Sequence, residues 1–297
     1  HTIVLGRLVN NPWYLFFGAA VIFSSCFLYT NYCGLWLTHD SLFYLAAAKS
    51  LNTTGLLTDM HGDPFYLWAP LCTMLLSLSI TNPVNSFVFV HLLTILLGNF
   101  CWYFLFVQHV QQTVVRGIYA LILSTSTPII VTGSFIWSEA IFYMLGSIYL
   151  FCYLRFVNSE KLVWLWLAML PGALLSLQRI AGVFILLGVG ISTVFLLFPL
   201  LKRHIWRFVL HTWLVTTPFL VWFFSTYWKH SNQEAQGKLG ALLSNIENIF
   251  LVFSRWVIPI QLSSFLFLIP IVVIVFTLHR WVSLSVTSRV LSVVILT

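Results

Sequence analysis

Charged residues are scarce in this chain. Asp, Glu, Lys and Arg together make up 7% of its 297 residues, whereas an ordinary soluble domain carries roughly 25%. Hydrophobic residues make up 60% and aromatic residues 17%. A chain with so few charges cannot cover a surface that faces water. The composition therefore excludes a soluble protein and predicts a polytopic membrane protein.

Several signatures of other protein classes are also missing. The 14 basic residues give a net charge of +7, but they are spread thinly, which excludes a nucleic-acid partner and is typical of cytoplasmic loops. The 5 cysteines form no C-x-x-C pair, and the chain has no glycine-rich phosphate loop, no H-E-x-x-H and no G-x-S-x-G. The apolar runs have almost no ionisable residues at their centres, which argues against an ion pump.

Apolar runs of about 20 residues, the length of a membrane-spanning helix, recur along the chain. We predict an all-α, polytopic transmembrane helical bundle with about eight or nine spans. The predicted spans are 13–32, 84–107, 116–135, 138–156, 162–177, 180–200, 205–227 and 263–278, with a ninth beginning after 281. A short helix over 70–80, a polar loop over 229–248 and an interfacial helix over 249–260 are predicted as well.

The sequence 1–297 is predicted to be a single transmembrane domain. Its segment 34–70 is the first extracytoplasmic loop, with an amphipathic helix at the membrane interface. Because the sequence begins with His1 rather than methionine and ends within an apolar run, we expect it to be part of a longer protein.

The charged residues predict an orientation with a cytoplasmic N-terminus. With this topology the cytoplasmic side holds Arg7, Arg116, Arg155, Lys161, Lys202, Arg203, Arg207 and Arg280, whereas the outer side holds Lys49, Arg179, Lys229, Lys238 and Arg255. The acidic residues show the opposite bias. The outer side holds Asp40, Asp59, Asp63, Glu139, Glu234 and Glu247, and the cytoplasmic side holds Glu160. We therefore expect polar chemistry on the outer face.

Asp40 follows the first predicted span, in the stretch THDSLFYLAAAKSLNTTGLL. The next apolar residues recur at helical spacing, so Asp40 is predicted to lie in the first turn of a helix along the membrane surface. Two interpretations remain open. The carboxylate can cap the helix and complement its dipole, or it can serve as a general base at the interface.

Three further groups could carry chemistry. Asp59, His61 and Asp63 lie in a loop with Gly and Pro, where they form either a solvated turn or a weak divalent-cation site. Glu139 opens the fourth predicted span, where a carboxylate is costly unless it is paired or lines a wet cavity. Arg179 lies between two spans on the outer side, where it binds an anion or reaches a lipid head group.

These segments, taken in order, resemble a known family. The stretch HDSLFYLAAAKSL follows one span, and a loop ends in PFYLWAPLCTMLLSL. The segments SEAIFYMLGSIYLFCYLRF and LLSLQRIAGVFIL come next. This order resembles the integral-membrane glycosyltransferases of the GT-C superfamily, in the bacterial branch related to protein O-mannosyltransferases and aminoarabinose transferases. The resemblance covers about 13–200. The residues that match the family pattern are Asp40, Tyr44, Ala48, Gly55, Pro70, Leu71, Ser138, Glu139, Arg179 and Gly182.

The resemblance implies sugar transfer at the outer face of a bacterial inner membrane. The donor would be a sugar on a polyprenyl phosphate or diphosphate, and Asp40 would deprotonate the acceptor. Glu139 would be the second catalytic residue, and Arg179 would bind the leaving phosphate. We expect the remaining substrate contacts from His39, Tyr44, Lys49, Asp59, His61 and Asp63.

One departure from the family leaves the metal open. Many members have two adjacent acids in the first loop, whereas here His39 precedes Asp40. A divalent cation is therefore a possible cofactor, and its identity stays open. Two other functions also remain open. One is a non-catalytic scaffold subunit of a membrane complex, and the other is a lipid or sugar transporter, which would need the internal symmetry that this sequence does not display.

Overall fold

The computed structural model describes residues 12–66, 68–79, 83–227 and 290. Within these ranges the chain is helical, and besides the helices it forms two isolated bridges, Trp36–Phe135 and Thr58–Pro64. The prediction of an all-α fold is confirmed. The helices are α1 Pro12–Thr30, α2 His39–Thr54, α3 Leu71–Ser77, α4 Pro83–Val107, α5 Thr113–Thr125, α6 Thr127–Ser134, α7 Glu139–Ser159, α8 Leu162–Gln178, α9 Gly182–Phe195, α10 Phe198–Arg203 and α11 Ile205–Trp222, followed by a π-helical turn, Phe223–Tyr227.

Among the described residues, five helical segments are long and apolar enough to cross a membrane. They are Trp13–Thr30, Val84–Val107, Thr113–Ser134, Glu139–Ser159 and Ile205–Tyr227. The helices α8 and α9 are apolar but shorter, with 17 and 14 residues. The predictions for 228–289, which include the eighth span, the polar loop and the second interfacial helix, lie outside the described residues.

Two predicted spans differ from the structure. The span predicted over 116–135 begins earlier and consists of α5 and α6, which are separated at Ser126. Pro128 accounts for this break, because proline lacks an N–H donor and suits the first turn of a new helix. The span predicted over 180–200 is too long, because α9 ends at Phe195 and Pro199 lies in the first turn of α10.

α7 is the central helix of the bundle. In its most apolar stretch 61% of the residues are buried, compared with 56% for α4, 22% for α1 and 11% for the α5–α6 segment. Large side chains of α7, including Tyr149, Tyr153 and Phe156, are almost completely enclosed. Leu165 and Leu175 of α8 pack into the same core. Burial of these apolar groups positions the two ends of α7.

The link between α1 and α2 is held against the link between α6 and α7. The Trp36 N–H donates to the carbonyl of Ser134 over 2.7 Å, and the Ile136 N–H donates to the carbonyl of Trp36 over 3.2 Å. The Asn31 amide also donates to Ser134 Oγ over 3.1 Å. These bonds are not part of any helix, so they fix where α2 begins relative to α7.

The helix ends form two groups. We call the group that contains α2, α3, the α6–α7 link and the α8–α9 link the α2 end. Its charged residues, within the part of the chain that the structure describes, are Asp40, Lys49, Asp59, Asp63, Glu139 and Arg179. The opposite end contains the α4–α5, α7–α8 and α9–α11 links, with the charged residues Arg116, Arg155, Glu160, Lys161, Lys202, Arg203 and Arg207. Acidic residues thus predominate at the α2 end and basic residues at the opposite end.

Candidate functional site

Helix α2 begins with a capping box. Thr38 is the N-cap: its Oγ1 accepts a hydrogen bond from the Ser41 N–H, and its own N–H donates to Ser41 Oγ over 3.0 Å. The interpretation of Asp40 as the capping residue is therefore wrong. Asp40 does lie in the first turn, as predicted, and its exposed carboxylate has no hydrogen-bond or ion-pair partner among the described residues.

Asp40 lies on the side of α2 that packs against the bundle. The buried residues of α2 are Ser41, Tyr44, Ala47 and Ala48. On a helical projection Asp40 is about 20° from Ala47 and about 40° from Tyr44. Its carboxylate is exposed in the first turn of the helix.

The first turns of α2 and α7 lie side by side. The Trp137 indole N–H donates to Thr38 Oγ1 over 2.7 Å. Trp137 comes two residues before Glu139, and Thr38 comes two residues before Asp40. Because a helix N-terminus carries partial positive charge, each first turn favours a carboxylate. The structure thus places the two predicted catalytic acids at neighbouring helix starts.

Glu139 and Arg179 form an ion pair at the α2 end. Their side chains are 35% and 37% exposed, so the pair is accessible to a ligand. Ser138 Oγ lies between them: it accepts from the Arg179 guanidinium over 3.4 Å and is 3.5 Å from Glu139 Oε2. Tyr44 Oη donates to the same oxygen over 3.3 Å. Three predicted site residues therefore meet around Ser138.

Buried polar groups support this cluster from behind. The Gln178 amide donates to the Ser138 carbonyl over 2.8 Å and is 1% exposed. Burial raises the pKa of the Tyr44 hydroxyl, so Tyr44 remains a neutral donor. Burial also raises the pKa of the Cys72 thiol to about 12, against a smaller lowering by Gln178. Gln178 and Tyr44 therefore hold Ser138 in place.

Gly182 explains the glycine of the Arg-x-x-Gly segment. A Cβ atom at this position would lie 2.6 Å from the Leu175 carbonyl oxygen, where α9 begins against the last turn of α8. The neighbouring atoms are backbone atoms, so they cannot move aside independently. Gly182 therefore allows the tight turn that presents Arg179.

Substituting Gly182→Ala is expected to lower the free energy of unfolding by about 1–3 kcal/mol, because the added methyl overpacks this turn. Thermal unfolding of the detergent-solubilised protein measures the effect. The matched control is Gly190→Ala on the same helix, where no atom lies within 4 Å of the added Cβ. Equal stability of the two variants would contradict the tight-turn explanation.

The predicted acidic loop is a small hairpin. Asp59 Oδ1 accepts from the His61 N–H over 2.8 Å and from the Asp63 N–H over 3.1 Å, and Gly62 has a φ of +87°. The side chain of Asp59 therefore shapes the turn, as one of the two interpretations predicted. Among the described residues, no group of three or more His, Cys, Asp and Glu side chains is close enough to hold a metal ion.

The other predicted substrate residues lie around the cluster. His39 is exposed beside Asp40, and its ring contacts Phe43 at 4.9 Å. Lys49 is exposed further along α2, and among the described residues it makes no hydrogen bond or ion pair with the Ser138 cluster. His61 and Asp63 are exposed on the hairpin.

An apolar groove of about 670 Å³ runs along the bundle between α9 and α11. Its floor is made by α7 and α8, and it is open on one side. Ser176 and Val183 line it at the α2 end, on both sides of the Arg179 turn, and Leu201 and Phe208 line it at the opposite end.

Sequence reasoning missed Thr38, Cys72 and Gln178 as parts of this site. Gln178 could have been identified from its position at the end of a long apolar run, next to Arg179. A polar side chain buried at such a position is expected to make a hydrogen bond. Thr38 could have been identified from Ser41 three residues later, which is a weaker form of the capping-box pattern. Cys72 had no signal in the sequence, since a cysteine in an apolar segment is typical of the hydrophobic core.

Comparisons of this chain with protein-family models, with curated proteins and with solved structures found no match.

Proposed function

We propose that this protein is a glycosyltransferase that moves a sugar from a polyprenyl-phosphate-linked donor to an acceptor at the α2 end. The observation that carries the proposal is the order of the groove, the ion pair and Asp40 at the α2 end. The groove is lined there by Ser176 and Val183, which flank Arg179 in the chain, and Arg179 is linked through Ser138 and Trp137 to the start of α2. A donor with an apolar chain, a phosphate and a sugar has its three parts in the same order.

The residues have complementary roles in this reaction. Asp40 takes the proton from the acceptor hydroxyl or amine, and the acceptor attacks C1 of the sugar. The bond between C1 and the phosphate oxygen breaks, and its electron pair leaves with the polyprenyl phosphate. Arg179 stabilises the charge on that phosphate, while Glu139 orients Arg179 before the donor arrives. Attack from the side opposite the phosphate inverts the configuration at C1.

The charge distribution supports an extracytoplasmic site. Basic residues predominate at the end opposite α2, which is the pattern of a cytoplasmic side. We propose that the α2 end faces the periplasm of a bacterial inner membrane, that the N-terminus is cytoplasmic, and that the complete bundle has about eight or nine spans. A divalent cation as cofactor and other subunits of a membrane complex as partners are likewise proposals.

Narrowing the groove tests the lipid donor. Gly190→Phe is expected to raise KM for a polyprenyl-phosphate sugar about tenfold with little change in kcat, since the groove contributes binding and no chemistry. Gly190 lines the groove and has open space around its Cβ position, so the phenyl ring enters the groove without displacing the helix. Kinetics of transfer in proteoliposomes with a defined donor measure both constants.

The matched control is Gly18→Phe. Gly18 lies on α1, away from the groove, and its Cβ position is also free of atoms within 4 Å. Unchanged donor KM in Gly190→Phe would contradict the assignment of the groove to the lipid chain. Movement of the labelled lipid across the membrane without any transfer product would favour the transporter instead.

A further inference from the structure

Next to Asp40 the first loop carries a group of aromatic rings, which we call the aromatic platform and define as Phe43 and Trp68. The two ring centroids are 5.0 Å apart. His39 contacts Phe43 at 4.9 Å and His61 contacts it at 6.3 Å, both edge to face. Both rings of the platform are half-buried, and both imidazoles are exposed.

The platform has a fixed orientation. Phe65, which is 2% exposed, stacks on Trp68 at 5.9 Å with an angle of 26° between the rings. Trp68 also contacts Tyr44 at 6.0 Å. Tyr44 is bound to the Ser138 cluster, so the platform belongs to the same rigid part of the protein as the ion pair.

The platform and Asp40 share one face of α2. Trp68 contacts both Phe43 and Tyr44, and Asp40 lies between these two residues on the helical projection. Side chains of a helix lean toward its N-terminus, so the rings of Phe43 and Tyr44 lean toward the turn of Asp40. The carboxylate therefore stands beside the aromatic surface.

Neither the core nor lipid fully explains this surface. Phe43 and Trp68 pack against the hydrophobic core on one side, but part of each side chain remains exposed. A surface against lipid would leave the carboxylate of Asp40 and the imidazoles of His39 and His61 in hydrocarbon, which is costly. Rings bordered by carboxylate and imidazole groups suit a ligand with an apolar face and several hydroxyl groups at its edge.

The platform also lies on the acceptor side of the proposed reaction. The leaving phosphate belongs at Arg179, and Asp40 lies beyond the Ser138 cluster from there. In an inverting displacement the nucleophile approaches from the side opposite the leaving group, and the base lies next to the nucleophile. A group bound on the platform is therefore the acceptor.

We propose that the acceptor is a carbohydrate, whose pyranose ring stacks on Phe43 and Trp68 while Asp40, His39 and His61 bind its hydroxyl groups. This inference rests on the proposed function and names its acceptor class. The hydroxyl group that Asp40 holds is the one that loses its proton to the carboxylate and forms the new bond to C1.

Saturation-transfer NMR on the full chain in lipid nanodiscs tests the platform directly. The probes are methyl glycosides of the common hexopyranoses, with cyclohexanol as a ring of similar size that lacks most of the hydroxyl groups. We expect transfer to the ring protons of at least one glycoside, with little transfer to cyclohexanol. Trp68→Ala is expected to weaken that binding about tenfold, because the stacking surface is lost. Trp68→Phe keeps an aromatic ring and should keep part of the binding, so the pair of variants distinguishes loss of stacking from misfolding.

Two controls complete the design. Trp164→Ala removes a half-buried tryptophan at the opposite end and should leave glycoside binding unchanged. Asp40→Asn should lose transfer but keep part of the glycoside binding, because its amide can still hydrogen-bond a hydroxyl group while it cannot take a proton. Absence of glycoside binding to the native chain, equal binding to Trp68→Ala, or equal transfer to cyclohexanol would each overturn the inference.

The design separates this inference from the proposed function. If the chain transfers sugar but its glycoside binding does not depend on Trp68, the platform is overturned and the glycosyltransferase is supported. If glycoside binding depends on Trp68 but the chain transfers no polyprenyl-linked sugar, the glycosyltransferase is overturned. The platform is then supported as a sugar-binding surface.

Discussion

Substituting Asp40→Asn is expected to lower the rate of sugar transfer by about 10²–10⁴-fold, the usual contribution of a positioned general base. The amide has nearly the same size as the carboxylate but cannot take a proton. Thr38 and Ser41 cap the helix, and Asp40 itself has no partner among the described residues, so folding should be preserved. Single-turnover transfer in proteoliposomes measures the rate, and thermal unfolding checks the fold.

Glu160→Gln is the matched control for Asp40→Asn. It makes the same change from carboxylate to amide, at the end opposite α2, where Glu160 pairs with Arg203 on the surface. Its transfer rate should equal that of the native chain. A well-folded Asp40→Asn variant with the native rate would show that Asp40 is not the base and would favour a scaffold role for the bundle.

Substituting Arg179→Gln is expected to lower kcat/KM for the polyprenyl-linked donor by about 10²–10³-fold, because the developing charge on the leaving phosphate loses its preorganised cation. The loss of stability should be small, on the order of 1 kcal/mol or less, since the ion pair is partly exposed and screened by water. Arg179→Lys keeps the charge but not the planar fork and should recover part of the rate.

The chain offers a close control for this change. Arg203→Gln breaks the other ion pair of the described residues, with Glu160, at the opposite end. Its transfer kinetics should not change. If Arg179→Gln and Arg203→Gln behave alike, Arg179 serves the bundle as a structural residue and does not bind the phosphate.

Much of the local structure was predictable from the sequence. Helix α2, the short helix α3 and the start of α7 at Glu139 appear near the predicted positions, because turn residues, proline and apolar periodicity are local signals. The lengths of α9 and of the α5–α6 segment were not predictable from apolar content alone. Pro128 and Pro199 interrupt runs in which the hydropathy stays high.

The contacts of the candidate site were less predictable. Glu139 and Arg179 were expected on one side of the membrane, but nothing in the sequence paired them with each other. Their pairing depends on how α8 packs against α7, and that packing is set by side chains such as Leu165 and Leu175, far along the chain from Glu139. The roles of Ser138 and Gln178 follow from the same packing.

The sequence by itself determined that this chain is helical, that its apolar helices are suited to a membrane, and that most of its acidic residues gather at one end. Composition and periodicity are sufficient to predict these properties, because each helix satisfies its own backbone hydrogen bonds and needs only an apolar surface to lie in lipid. Only the tertiary structure decided that Glu139 and Arg179 pair beside Ser138, and that the start of α2 lies next to the start of α7. These features depend on contacts between distant segments, such as Trp137 with Thr38, and no local pattern encodes such contacts.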